Sequence, residues 1–204
     1  PLDPQKSVLF DLARGTVGTM DGHRQLLVPA GALAALCSGM SDARSFGRVL
    51  GLGFMGRAAN RLVRAGGRFG TMPPGLGGDP SPAGARDALR RAALEDVVDA
   101  FGVELALAGL GSLRAERWGR ALLFVLEPCT MDERADAMLG GLFEGALSLA
   151  AVRDVRAIVV ERTPTSARLL CGNGDAIAEA ERQLAEGAFF TDIVSRLHGE
   201  RRPA

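Results

Sequence analysis

The chain has 204 residues, which is enough for one sizeable domain with short appendages. Its composition is 47% hydrophobic and 24% charged with a formal net charge of zero, which argues against a disordered chain and against a dedicated nucleic-acid binder. The longest apolar stretch, residues 138–152, is too short for a membrane span, and no secretory signal pattern is visible, so we expect a globular protein of the cytoplasm.

The N-terminal part is predicted to hold a small hairpin followed by a short helix. Residues 7–12 have the length and apolar content of a strand, and the Asp-Gly pair at 21–22 is a strong turn signal. Residues 25–28 are expected to return as the second strand, which leaves His23 solvated in the turn. An apolar helix is then expected over residues 30–37.

A long helix is predicted from residue 44 to residue 64, with Ser41 as its N-cap and Gly66 at its end. Five apolar side chains recur every four residues, which places them on one face of this helix. They are Phe46, Leu50, Phe54, Ala58 and Leu62. We therefore expect this face to be buried against the rest of the domain.

The same segment carries Gly51, Gly53 and Gly56 in the spacing G-x-G-x-x-G, and it resembles the start of 3-hydroxyisobutyrate dehydrogenases. In dinucleotide-binding folds these glycines seat a pyrophosphate on a helix N-terminus. Such a site requires a buried strand before the glycines and another after the helix. Residues 45–48 and 66–86 show neither pattern. We favour small residues on a packed helix and keep an NAD(P)-dependent oxidoreductase as an alternative.

Residues 66–86 hold seven glycines and four prolines, and we predict a long flexible loop there. A helix with one apolar face follows over residues 87–101, and Gly102 is expected to end it. Residues 110–116 and 120–126 flank a short turn and predict an antiparallel hairpin.

The segment from residue 120 to residue 171 is predicted to organise the fold as strand, helix, strand, turn and strand. Thr130 and Glu133 match a capping box at the start of its helix. Glu144 is expected on the polar side of that helix facing solvent, with a place in a pocket as the alternative. Residues 163–166 are expected to connect the last two strands as a hairpin. Three glycines of the helix indicate the close approach of another element, namely Gly140, Gly141 and Gly145.

Over residues 7–172, this order of elements resembles the 4-vinyl-reductase-type domain. That domain shares its fold with small subunits of the TRAPP vesicle-tethering complex and, more distantly, with haem-based nitric-oxide sensors. The matching residues are the stretches 141–145 and 155–161 and the pair Leu170-Cys171. The resemblance implies an α/β (α+β) fold in which long helices pack an antiparallel sheet of about four to five strands. We assign the domain to residues 1–172 and a C-terminal helical extension to residues 173–204.

The resemblance also implies an internal cavity, which takes an acyl chain in TRAPP-like proteins. The side chains expected to bind a ligand there are Phe46, Leu50, Phe54, Phe101, Leu142 and Phe143. Solid core packing of the same residues is the competing interpretation.

No catalytic residue, metal site or cofactor is predicted. Many domains of the resembling family end in two cysteines, but here Pro164 stands at the first position and Cys171 at the second, and one thiol cannot hold zinc alone. Haem-binding relatives use a histidine in a mid-chain helix, and residues 87–101 contain none. Together with Cys37 and Cys129, Cys171 is expected to be a reduced thiol.

The leading hypothesis is a non-enzymatic regulatory or scaffold module. It forms a homodimer through apolar helix faces and binds a protein partner, with an apolar ligand as a further option. A sensor domain for an aromatic or lipid small molecule is the alternative. No nucleic acid and no integral membrane segment are expected. The candidate partner-binding residues are Phe189, Phe190, Ile193 and Leu197. These residues are predicted to lie on a last short helix, and docking of that helix on its own domain is the competing interpretation.

Overall fold

The computed structural model describes residues 8–11, 13–19, 24–66, 82–118, 121–150 and 154–199, except for the side chains of residues 24, 64–66, 82, 83, 85 and 197–199. These residues form a mixed α+β fold with helices packed on antiparallel strands, which confirms the predicted fold class. The elements are β1 (Val8–Asp11), β2 (Thr16–Thr19), β3 (Arg24–Gln25), α1 (Ala30–Gly39), α2 (Ala43–Gly66), α3 (Pro82–Arg91), α4 (Leu94–Leu107), β4 (Leu113–Trp118), β5 (Ala121–Leu126), α5 (Asp136–Ala150), β6 (Arg156–Arg162), β7 (Ala167–Gly172), α6 (Gly174–Ala185) and α7 (Phe190–Gly199). None of the described helices has the length and apolar content needed to cross a bilayer.

The smaller sheet has the order β1-β2-β3, with both pairs antiparallel. Val8 lies opposite Thr19, so β1 pairs with β2. The two-residue strand β3 pairs with the other edge of β2. This corrects the predicted hairpin, in which residues 7–12 pair directly with residues 25–28. The β-branched residues of β2 suit a strand well, and the prediction overlooked them. The Asp-Gly turn and His23 lie outside the described residues.

The larger sheet has the order β4-β5-β7-β6, and every neighbouring pair is antiparallel. It consists of two hairpins, β4-β5 and β6-β7, both of which were predicted at these places in the chain. In the second hairpin the Thr163 N–H donates to the Ser166 carbonyl at 3.0 Å. The two hairpins join through β5 and β7, which leaves β4 and β6 at the edges.

Each face of the larger sheet carries its own apolar layer, because side chains alternate along a strand. Phe124 of β5 belongs to the larger apolar cluster, which includes residues of α2, α4 and α5. The adjacent Leu123 belongs to a second cluster with Ile177 of α6 and Ile193 of α7. Helices α6 and α7, in the predicted extension 173–204, therefore pack on the face of the sheet opposite α5.

Helices α2 and α5 cross with their backbones in direct contact. On each helix two glycines lie four residues apart and so share one face. They are Gly47 and Gly51 on α2 and Gly141 and Gly145 on α5. A methyl group on any of the four would overlap a main-chain carbonyl of the other helix, such as that of Leu142 at Gly51. We call this contact the glycine seam.

Because of the glycine seam, the buried face of α2 begins one residue later than the predicted apolar stripe. This is a rotation of about 100° around the helix axis. Phe46, Leu50 and Phe54 are half-buried beside the seam, because side chains of this size do not fit between two touching backbones. The fully buried positions of α2 are Ala43, Gly47, Gly51, Met55, Ala58 and Ala59.

The predicted helix over residues 87–101 is two helices, α3 and α4, separated at residues 92–93. Helix α3 begins at Pro82, inside the predicted loop 66–86, and proline is well suited to a first helical turn. Residues 67–81 of that loop lie outside the described residues. Helix α4 continues past Gly102, where the missing side chain leaves room for Leu113.

The predicted capping box at Thr130 and Glu133 is wrong. Asp132 is the cap, since its carboxylate accepts the Arg134 N–H at 3.1 Å. A short 3-10 helix over Glu133–Ala135 then leads into α5. The Thr130 hydroxyl instead donates to the Gly109 carbonyl at 2.7 Å, which ties this loop to the end of α4.

We predict that Gly51→Ala lowers the free energy of unfolding by about 2 kcal/mol, because overlap with the Leu142 carbonyl outweighs the gain in helix propensity. The control is Gly53→Ala on the same helix, where an added Cβ meets only the Arg57 side chain at 3.7 Å. It should raise stability by up to about 1 kcal/mol. Denaturant unfolding measures both, and equal effects of the two variants would rule out the seam.

Candidate functional site

The six predicted ligand-binding residues belong to one apolar cluster. Phe101, Leu142 and Phe143 are fully buried in it, while Phe46, Leu50 and Phe54 are half-buried along α2. The structure therefore brings all six together, but it places the two groups at different depths. The α2 side chains form the outer wall, and we call the row Phe46, Leu50 and Phe54 the α2 wall.

Three phenylalanine rings of the same apolar cluster contact one another. Phe143 meets Phe101 edge-on with centroids 5.5 Å apart and meets Phe124 at 5.2 Å. We call these three rings the aromatic core. Their direct contact matches the solid packing that was the competing interpretation, although such rings also provide surfaces on which an aromatic ligand can stack.

Gly51, Gly53 and Gly56 lie in the interior of α2 and not at a helix N-terminus. Backbone N–H groups inside a helix already bond to carbonyls one turn earlier, so none is available to a phosphate. Gly51 serves the glycine seam, while an added Cβ at Gly56 meets nothing within 4 Å. The arrangement that the dinucleotide alternative requires is therefore not present in this segment.

Glu104 is a buried carboxylate that the sequence analysis did not single out. It lies on α4 and is 3% exposed. Arg57 and Arg61, one turn apart on α2, each donate from Nε to one of its oxygens at 2.6 Å. These charge-assisted bonds tie α4 to α2. Its burial could have been inferred from the sequence, because Glu104 follows Phe101 by three residues and so lies on the apolar face of the helix. A carboxylate there requires a cationic partner.

Glu144 is also buried, at 2% exposure, which corrects the expectation that it faces solvent. Its Oε2 accepts from Arg48 at 2.7 Å, and its Oε1 accepts the Ala157 N–H at 3.2 Å. Arg44 and Arg156 lie 3.5 and 3.6 Å from Oε1. Three guanidinium groups therefore share one carboxylate, so the cluster carries excess positive charge.

A cleft of about 350 Å³ lies beside this cluster, between α5 and α6 and along the outer edge of β6. We call it the Arg44 cleft, and its lining residues are Arg44, Asp136, Ala137, Ile158, Val159, Glu181 and Leu184. None of them was predicted as a site residue. Arg162 donates to the Asp136 carboxylate, from Nε at 2.7 Å. Burial raises the pKa of Asp136, and its bonds to Arg162 oppose that rise.

All three cysteines are free thiols. Burial raises the pKa of Cys171, and the charge of Glu144 raises it further, while burial also raises the pKa of Cys37. Thiols with raised pKa values are poor nucleophiles at neutral pH. Within the ranges that the structure describes, no group of three or more His, Cys, Asp or Glu side chains is placed to hold a metal ion.

The predicted partner-binding residues differ in exposure. Phe189 is 77% exposed, whereas Phe190 and Ile193 are buried against the sheet of the same chain. The Phe190 ring meets Trp118 edge-on at 5.5 Å. The side chain of Leu197 lies outside the description. Of the described members of this group, only Phe189 offers surface to a partner.

We predict an asymmetry between the two sides of the Glu104 cluster. Arg57→Met with Arg61→Met leaves a buried carboxylate without a cation and should cost about 3 kcal/mol or more. Glu104→Gln keeps the size of the side chain and leaves arginines that reach solvent, so it should cost about 1–2 kcal/mol. Denaturant unfolding compares the two. A larger loss for Glu104→Gln would contradict this account.

The sequence matches no protein-family model and is not similar to any curated protein. Among solved structures, the chain is similar to the crystal structure of the phenol-responsive sensory domain of the transcription activator PoxR with phenol. The two share 16% sequence identity and a TM-score of 0.51, over 89% of this chain and 92% of that one. At this identity the likeness shows a common fold, which this chain therefore shares with a small-molecule sensory domain.

Proposed function

We propose that this chain is a non-enzymatic regulatory module that senses a small apolar or aromatic molecule. The observation that carries the proposal is the fold, which is shared over nearly the full length of both chains with a sensory domain that responds to phenol. The earlier alternative of a sensor thereby becomes the leading function. The scaffold hypothesis becomes the second candidate.

The proposed ligand region lies between the α2 wall and the aromatic core. Phe46, Leu50 and Phe54 are half-buried and pack against the apolar cluster that contains these rings, so movement of their side chains would give a ligand access to the cluster. The Arg57 guanidinium stacks over Phe54 at 4.8 Å from the ring centroid. A ligand that orders the α2 wall would therefore also restrict the position of Arg57 and affect its hydrogen bond to Glu104 on α4.

The finer assignments remain part of this proposal. We infer membership of the 4-vinyl-reductase-type and TRAPP-like group, a single domain over residues 1–172 with the extension 173–204, and a cytoplasmic location. Three free thiols support a reducing compartment. A protein partner would receive the signal, and exposed Phe189, directly before the last helix, offers an anchor for it.

Homodimerisation is the basis of the second candidate, a scaffold. Large apolar side chains are exposed on the segment before α1 and on the outward faces of α1 and α2. They are Leu26, Leu27, Val28, Leu36, Val49 and Leu52. Exposed apolar surface of this kind favours protein–protein contact.

We predict that neutral aromatic compounds such as phenol raise the unfolding temperature of the protein. At about a hundredfold excess over Kd, a ligand adds about 2.7 kcal/mol of stability. Phe54→Ala should weaken binding about tenfold through the loss of apolar contact. Leu52→Ala, at an outward position on the same helix, should leave it unchanged.

Native mass spectrometry of the purified protein provides an independent measurement, since a ligand that co-purifies adds its mass to the chain. If no neutral aromatic or lipid binds at millimolar concentrations by either method, the sensor proposal is wrong.

For the scaffold candidate, we predict a dimer mass in light scattering at micromolar concentration. Leu26→Asp with Leu27→Asp should shift the mass toward a monomer, because charge disfavours burial of this segment. Leu94→Asp, an exposed leucine at the start of α4, is the matched control and should remain dimeric. If the unmodified chain has the mass of a monomer, the dimer hypothesis is wrong.

A further inference from the structure

We propose that the Arg44 cleft binds a small organic carboxylate on an apolar body. Its volume of about 350 Å³ falls within the range of small-molecule sites. Ala137, Ile158, Val159 and Leu184 supply apolar lining, and Arg44 supplies a cation at one end. This lining shares no residue with the α2 wall or the aromatic core, so the site is separate from the sensor region proposed above.

The edge strand β6 already shows how a carboxylate binds here. Ala157 presents both its N–H and its C=O to the outer edge of the sheet, where Glu144 Oε1 accepts the N–H at 3.2 Å and Arg44 Nη2 donates to the C=O at 2.7 Å. In an antiparallel ladder such outward groups recur every second residue. The N–H of Val159, two residues on, is therefore turned toward the cleft.

A ligand carboxylate in the cleft would repeat this internal arrangement one step along the strand. It would accept hydrogen bonds from the Val159 N–H and from Arg44 Nη1. In the structure, Arg44 Nη1 lies 3.7 Å from Glu181 Oε1. That separation exceeds a hydrogen bond, and the Glu181 side chain is 50% exposed, so a ligand can take its place. Within the described part of the chain, Arg44 Nε has no hydrogen-bond partner, although it is buried.

The surrounding charges favour an anion over a cation. Arg44, Arg48 and Arg156 share the single buried carboxylate of Glu144. The other carboxylate in the lining, Asp136, accepts two N–H groups of Arg162 and is neutralised by it. Glu181 is the remaining acid in the lining, and its contact to Arg44, at 3.7 Å, is the longest of these ion pairs.

Calorimetric titration with benzoate and with its neutral analogue benzyl alcohol tests the proposal. We expect benzoate binding to depend on Arg44 and benzyl alcohol binding, which the sensor region can provide, to be independent of it, because only the carboxylate matches Arg44. Arg44→Gln should weaken benzoate binding about tenfold, and Arg44→Lys should restore part of it. No binding of benzoate at millimolar concentrations, or benzoate binding that Arg44→Gln leaves unchanged, would overturn the proposal.

Glu181→Gln provides a second variant that leaves the core intact, since this side chain is half-exposed. It removes the carboxylate that competes for Arg44, so benzoate should bind several-fold more tightly. Glu186→Gln is the matched control, because it makes the same charge change directly after the end of α6 but lies outside the cleft, next to Arg182. If both variants change the affinity equally, the site is not the Arg44 cleft. Binding of neutral aromatics at the α2 wall should not respond to Glu181→Gln, so either proposal can fail alone.

Discussion

The contact between the backbones of α2 and α5 is the constraint on which the rest of the structure depends. Gly47 and Gly51 receive carbonyls of α5, and Gly141 and Gly145 receive carbonyls of α2. Because the contact is made by main chain on both sides, it tolerates no added atom at these positions. The glycine seam fixes the distance and rotation of the two helices, and it thereby decides which side chains of α2 turn toward the core and which lie beside it.

The position of the buried charges follows from the same contact. Arg44 and Arg48 place their carbonyls against Gly141 and Gly145, and their guanidinium groups extend from there to Glu144 on α5. At least two turns further along α2, Arg57 and Arg61 reach Glu104 on α4. Helix α2 therefore contacts α5 through the glycine seam and forms ion pairs with both α5 and α4. Movement of α2 would disturb both carboxylate clusters, which suits a helix that transmits a binding event.

The two proposed ligand regions lie at different sides of this helix pair. The α2 wall and the aromatic core belong to the larger apolar cluster, whereas the Arg44 cleft follows the edge of β6 between α5 and α6. The first is apolar and fits a neutral aromatic body. The second combines apolar lining with the guanidinium group of Arg44 and fits a carboxylate. Both regions border α2, so a regulatory module with this architecture has a physical route by which either ligand changes the same helix.

The sequence by itself determined the long helix α2, the two hairpins of the larger sheet and the small-residue character of both crossing helices, because these depend on local periodicity and turn chemistry. Only the tertiary structure decided which face of α2 is buried, since Phe46 and Gly47 both fit a helix and the approach of α5 selects the glycine. The same holds for Glu104 and Glu144, whose burial depends on arginines from a distant part of the chain. The Arg44 cleft could not be predicted at all, because its walls come from four separate elements that meet only in the folded protein.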